Sequence, residues 1–139
     1  MRTTRKLTFS LTPDLDSLAA LSRRLAWEFE TAEIPGRSRH ACELVIEELI
    51  ANVIRHGGEA TSTIDLCLEI EDDELVITVR DDGQAFDPTS GIEAHRPRSL
   101  ADLRVGGLGL PMVRKATRSL AYRRERGLNL TEARVANQT

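Results

Sequence analysis

The stretch STIDLCLEIEDDELVITVR, residues 62–80, alternates. Ile64, Leu66, Leu68 and Ile70 recur at every second position, and after EDDE so do Leu75, Ile77 and Val79. A period of two places each set on one face of a strand. A short polar turn between two such runs makes them an antiparallel hairpin. One face of that hairpin is greasy and the other wet, so another layer must cover the greasy face.

Two stretches upstream can supply the cover. Leu15, Leu18, Leu21, Leu25 and Phe29 stand at helical spacing, with Asp14 or Thr12 as the cap. IPGRS breaks that helix, and a second is expected from about Ser38 to His56, ended by Gly57 and Gly58. A leading strand, KLTFSLT, turns Leu7, Phe9 and Leu11 inward. After Arg80 the periodicity stops, and residues 82–109 carry Gly83, Gly91, Gly106, Gly107, Gly109, Pro88 and Pro97. A stretch of this length without a pattern is unusual in a small domain and often forms a lid or binding loop. A helix from about Leu110 to Thr117 follows. SLAYRRE and LNLTEARV then form a last hairpin around Arg126 and Gly127. The expected class is α+β: a two-layer sandwich, its sheet mixed but mostly antiparallel, with the helices on one face. A chain of 139 residues is expected to be a single domain, 1–139, able to bury a core without staples.

Charge and cysteines narrow the function classes. The net charge is −3, whereas a general nucleic-acid binder is more often basic. No apolar run approaches the roughly 18 residues of a membrane span. MRTTRKLTFS has no apolar core of a signal peptide. Cys42 and Cys67 lack metal-ligand spacing and read as buried free thiols of a cytoplasmic protein.

Three short stretches could carry chemistry. In ACELVIEELIANVIRHGG, Glu48 and Asn52 lie four apart, stacked about 6 Å along one helix face beside the apolar stripe. A carboxylate and an amide there suit a reacting hydroxyl and a metal-bound ligand; the plainer reading is a solvated Glu and an Asn tolerated near a helix end. Glu47, on the neighbouring arc, reads as surface. In VRDDGQAFDP, Asp81 ends a strand and Gly83 follows two residues on. A carboxylate there can accept from an exocyclic amine, with the glycine letting a ring approach; an ordinary Asp-Gly turn is the alternative. In GGLGLPMVRKA, three glycines precede a helix with Pro111 in its first turn. Free N–H groups and the helix dipole would make an anion site; otherwise this is a flexible loop. GGLGLP lacks the Gly-Lys pair of a P-loop. It also lacks the third glycine and the later acid of a dinucleotide fingerprint.

Taken together in this order, the three stretches resemble the Bergerat-fold (GHKL) ATPases, a superfamily that includes DNA gyrase, sensor histidine kinases and MutL. EELIANVIRHG is similar to their N box, DDGQAFD to the first glycine box and GGLGLPMV to the second. The likeness is greatest to the small RsbW-type anti-sigma-factor serine/threonine kinases and runs from about Leu7 to Val135. It implies that Asn52 ligates Mg²⁺ on the phosphates of ATP and that Glu48 is the general base for the acceptor serine. Asp81 would bind the adenine amine, with Gly83 under the ring. Gly107, Gly109 and Leu110 would offer backbone donors to the phosphates, and residues 84–106 would form the ATP lid. Arg55 and His56 would face the phosphates, and Thr131 or Asn129 would close the adenine pocket. The last position of the first glycine box, often Gly, is Ala85 here, which bears on the lid.

The function so implied is an ATP- and Mg²⁺-dependent, cytoplasmic serine/threonine protein kinase and transcription regulator. It would sequester a sigma factor and phosphorylate a STAS-type anti-sigma-factor antagonist on serine. It would act as a homodimer, with no direct contact to nucleic acid or membrane. The alternatives are a nucleotide-dependent binding module that turns nothing over and a switch kinase of a scaffold protein. Glu48 favours a kinase, since a pure binder has no need of a carboxylate at that place.

Overall fold

The computed structural model describes residues 5–90 and 109–138. Strand β1 (Arg5–Leu11) leads into helix α1 (Leu15–Thr31) and helix α2 (Gly36–His56). The hairpin β2 (Ile64–Ile70) and β3 (Glu74–Asp81) follows. Helix α3 (Gly109–Ala116) then precedes the hairpin β4 (Ser119–Glu125) and β5 (Leu128–Ala136). The five strands lie in the order β1-β2-β3-β5-β4. Every pairing among the described residues is antiparallel, where a mixed but mostly antiparallel sheet was expected. The reason is connectivity: α3 carries the chain to the far edge, and β5 returns from there between β4 and β3.

The alternation of the first hairpin becomes the two faces of the sheet. Ile64, Leu66, Leu68, Leu75, Ile77 and Val79 are buried under the helices. Asp65, Cys67, Glu69, Thr78 and Arg80 take the open face. Cys67 is therefore half-buried there, not in the core, whereas Cys42 is fully buried and its thiol is pushed up by burial. α1 and α2 supply the covering layer through Leu21, Leu25, Phe29, Val45, Ile46, Leu49 and Ile50. Leu15 is the exception to the α1 stripe. It is the first helical residue and 70% exposed. The two candidate caps share the work: Asp14 accepts from the Ser17 N–H at 2.7 Å, and the Thr12 hydroxyl braces the same carboxylate at 2.5 Å. α2 begins two residues before the expected start, with Pro35 at its cap.

A carboxylate is buried between α1 and β1. Glu28 is 4% exposed and pairs with Arg5 at 2.8 Å, tying α1 to β1. Arg24 lies 3.7 Å from its other oxygen, and a carboxylate so buried would cost several kcal/mol with neither partner.

Candidate functional site

The last two turns of α2 run along the end of the sheet where β3 finishes and β5 begins. Glu48, Asn52 and Arg55 follow each other down this stretch of α2. Asn52 is 2% exposed. Its Nδ2 donates to the Glu48 carbonyl at 2.9 Å, one turn back, which turns Oδ1 toward Arg55. An Arg55 Nη2–H donates to that oxygen, and Arg55 Nε donates to His56 Nε2 at 3.1 Å. The Glu48 carboxyl is half-buried. Burial raises its pKa against the opposing pull of Arg55. His56 is shifted down, first by burial and then by the Arg55 charge. Glu47 is exposed and accepts from Ser22, as a surface residue would.

Asp81 ends β3 and is 5% exposed. Its Oδ1 accepts from the Gly83 N–H at 2.9 Å and from Asn129 Nδ2 at 3.0 Å. Gly83 must be glycine for a reason of space. A Cβ there would lie 2.2 Å from Thr61 Oγ1 and 2.9 Å from the Gly57 carbonyl. Asp82 points away from the site and binds the chain entering β2 through the Ser62 N–H at 2.8 Å, the Thr63 N–H at 3.2 Å and the Ser62 hydroxyl. Those bonds, the hydroxyl's first, hold its carboxyl down at about 2.

The first residue of α3 meets the same cluster. Gly109 is buried against the Glu48 carboxyl group. Leu110, in the same turn, packs on the core as a half-buried residue. Gly107 and residues 91–106 of the expected lid lie outside the described residues. The seven before them are described. Phe86 stacks on His56 with ring centroids 4.1 Å apart and planes 13° apart.

A cavity lies between these elements. Leu49, Val53 and Val79 give it apolar walls; Asn52, Asp81 and Thr131 line it too. With Phe86 and Pro88 against it the enclosed space is about 20 Å³, room for a water or so. A purine therefore enters only if the lining opens. The chemistry of the lining suits a nucleotide otherwise. It has an acceptor carboxylate at one end of an apolar slot and a hard amide oxygen on the adjoining helix. Among the described residues, no three His, Cys, Asp or Glu side chains converge on a cation site. A magnesium ion would take its remaining oxygens from phosphate and water, as it commonly does.

The structure thus brings Glu48, Asn52, Arg55, Asp81, Gly83 and Gly109 into one region. Of the group behind Asp81, the sequence pointed to Asn129, as a residue closing the adenine pocket, but not to Tyr122 or Arg124. Asn129 is 4% exposed and bonds to Asp81, Tyr122, Arg124 and the Gln84 carbonyl. Polar residues at alternate positions of YRRE, on the face that begins with Leu120, were the available signal.

Comparison with known proteins bears on the family and the fold. A family model described as "Histidine kinase-like ATPase domain" matches residues 11–135. The serine/threonine-protein kinase BtrW of Bordetella bronchiseptica is 32% identical over 95 residues, 67% of this chain and 67% of that protein. The serine-protein kinase RsbW of Staphylococcus epidermidis is 28% identical over 96 residues; the match covers 64% of this chain and 60% of that protein, less than two thirds of its length. RsbW of Listeria innocua is 23% identical over 128 residues, 88% of this chain and 77% of that one. Among solved structures, the RsbU and RsbW domains of Rv1364c from Mycobacterium tuberculosis superpose with a TM-score of 0.69 at 14% identity. That match covers 97% of this chain and 33% of the larger one. A chain of the SiaB-SiaC complex from Pseudomonas aeruginosa superposes at 0.59 with 17% identity, covering 94% and 89%. At such identities the structures speak to the fold, which they share. No helix among the described residues is long and apolar enough to cross a membrane.

Proposed function

We propose, because the chain belongs to the histidine kinase-like ATPase domain family, that it is an ATP- and Mg²⁺-dependent protein kinase transferring phosphate to a serine of a partner protein. The serine kinases among its relatives support the reaction type. The observation that carries it is the Glu48 carboxyl. It is half-buried, raised in pKa, one turn from Asn52 and against the start of α3. A nucleotide-binding module without turnover would have no use for a base so placed.

Bound Mg²⁺–ATP would supply the γ-phosphoryl group and the charge that screens it. Asp81 Oδ2 would accept from the adenine amine while Val79, Leu49 and Val53 flank the ring. Asn52 Oδ1 would turn from Arg55 to the metal, releasing the guanidinium to the phosphates. Glu48 would take the proton of the acceptor serine as its Oγ–P bond forms and the bond to the β-phosphate oxygen breaks, leaving ADP and phosphoserine. Positioning and charge stabilisation dominate such transfers, and a general base adds typically 10²- to 10⁴-fold.

The partner we propose is a STAS-type anti-sigma-factor antagonist, the chain sequestering a sigma factor as a homodimer when the antagonist is phosphorylated. The test is transfer of labelled phosphate from ATP to a candidate antagonist, beside a nucleotide titration. Transfer by the wild type and its loss in Glu48→Gln with ATP binding retained is the expected result. ATP binding without transfer to any antagonist of the same genome would overturn it in favour of a binding module.

A further inference from the structure

Asp81, Asn129 and Arg124 form one rung across three strands. Asp81 stands opposite Asn129 in the β3–β5 pairing, and Asn129 opposite Arg124 in the β5–β4 pairing. Asp81 belongs to the first glycine box, whereas Asn129 and Arg124 lie outside all three motif stretches, and the strand that supplies Arg124 is mostly exposed beyond the buried Leu120.

The hydrogen bonds along the rung have a direction. Arg124 Nη1 donates to Asn129 Oδ1 at 2.9 Å and to the Gly83 carbonyl at 3.1 Å. The Tyr122 hydroxyl lies 2.5 Å from the same Asn129 oxygen. Asn129 Nδ2 then donates to Asp81 Oδ1 at 3.0 Å and to the Gln84 carbonyl at 2.9 Å. A guanidinium has no acceptor, so the amide must turn its oxygen to Arg124 and its NH₂ to Asp81. The Gly83 N–H reaches Asp81 Oδ1 as well, at 2.9 Å. Every hydrogen bond to this carboxylate among the described residues therefore falls on Oδ1. Only Oδ2 is left for a ligand in the cavity that Asp81 lines.

A carboxylate with both oxygens free can grip a guanine edge, since N1–H and the 2-amine are paired donors that match its fork. An adenine offers the 6-amine, which needs one acceptor. Occupying Oδ1 removes the two-point grip and keeps the one-point contact. We infer that Asn129, oriented by Arg124 and Tyr122, is the positioning residue that makes the Asp81 pocket selective for 6-aminopurines over 6-oxopurines. The inference rests on the nucleotide reading above and adds to it the source of base choice.

The experiment compares ATP and GTP affinities, by calorimetry with Mg²⁺ present, for wild type, Arg124→Gln, Arg124→Lys and Asn129→Ala. Melting temperatures check that each variant is folded. A glutamine can donate or accept and no longer dictates the amide's orientation, whereas a lysine only donates. Arg124→Gln and Asn129→Ala are expected to lower the ATP-over-GTP ratio on the order of tenfold, the scale of one hydrogen bond. Arg124→Lys is expected to keep most of the ratio. Should Asn129→Ala fail to fold, the two Arg124 variants carry the comparison. An unchanged ratio in Arg124→Gln and in every other folded variant, even with weaker binding, would make the rung merely structural and overturn the inference while leaving the kinase reading intact. Equal loss in Arg124→Lys and Arg124→Gln would also overturn it. A wild type that binds neither nucleotide would overturn both.

Discussion

The Glu48 carboxyl group occupies the space that a side chain on Gly109 would need. A Cβ built there would lie 1.9 Å from Oε2 and 2.3 Å from the carboxyl carbon. The second glycine box and the candidate base are thus fitted to each other. In Gly109→Ala the group that must yield is the end of a flexible side chain, so the fold should survive. The melting temperature is expected to stay level while phosphate transfer drops on the order of 10²-fold, because Glu48 is turned away from the acceptor. Undiminished transfer in this variant would remove Glu48 from the reaction.

A second expectation concerns pH. Burial raises the Glu48 pKa in the folded chain, with Arg55 opposing and Glu47 adding to it. A raised folded pKa means that the group contributes stability below its unfolded value, near 4.3. That contribution is lost as pH rises through the folded value. Glu48→Gln carries no such loss. Its stability relative to wild type should therefore grow between pH 4 and pH 7.5, as read from paired melting curves. Transfer by the wild type should fail on acidification at a pH above the ordinary carboxylate range, since the base must be ionised. A stability difference that shrinks with rising pH would contradict the environment assigned to Glu48.

How legible this was varies with the distance over which the sequence had to be read. The β2–β3 hairpin and the α2 stripe are local patterns, and Ile64 through Val79 and Val45 through Ile50 lie where the spacing puts them. The same alternation that turns Leu66 and Leu68 inward turns Cys67 outward, so its half-exposure was present in the sequence and was misread. Leu15 matched the helical period, but a residue at a helix's first position overhangs the layer below. The resemblance to the histidine kinase-like ATPase family is borne out by the family match. The Asp81–Asn129–Arg124 rung was not legible. It depends on the pairing of strands 48 residues apart, and on a register that neither strand's own pattern specifies.

Asp81→Asn tests the polarity of the pocket. The new amide can satisfy the Gly83 and Asn129 donors only with its oxygen, which leaves an NH₂ where Oδ2 stood. Two donors would then face each other at the adenine amine. ATP affinity is expected to fall about 10²-fold or more, with inosine nucleotides, whose 6-oxygen accepts, losing less. Calorimetry with both ligands gives the answer; equal losses for the two would place the base elsewhere.

Gly83→Ala tests space alone. Its Cβ would meet Thr61 Oγ1 at 2.2 Å, the Gly57 carbonyl at 2.9 Å and Asp81 Oδ1 at 3.0 Å. Backbone is among these neighbours, and the loop ending α2 would have to move. Overpacking of this kind costs about 1–3 kcal/mol, so denaturant midpoints should fall accordingly. Unchanged stability would mean that the 57–61 loop is free to give way.

The last prediction concerns entry to the site. Phe86 stacks on His56 beside a cavity of about 20 Å³, which no purine fits. Phe86 and Gln84 both line the cavity, so binding is expected to break the stack and shift the segment from Gln84, whose own N–H is tied to the Gly57 carbonyl at 3.1 Å. An offset ring pair contributes about 0.5–1.5 kcal/mol beyond its area. Phe86→Ala removes that barrier without touching Asp81, Asn52 or Glu48. Nucleotide association should then be faster by roughly two- to tenfold, the rate equivalent of that energy. Stopped-flow binding of a fluorescent ATP analogue measures it. His56→Ala should speed entry in the same sense, because it removes the other ring. Association no faster in either variant would show that the stack does not guard the pocket and that another step limits entry.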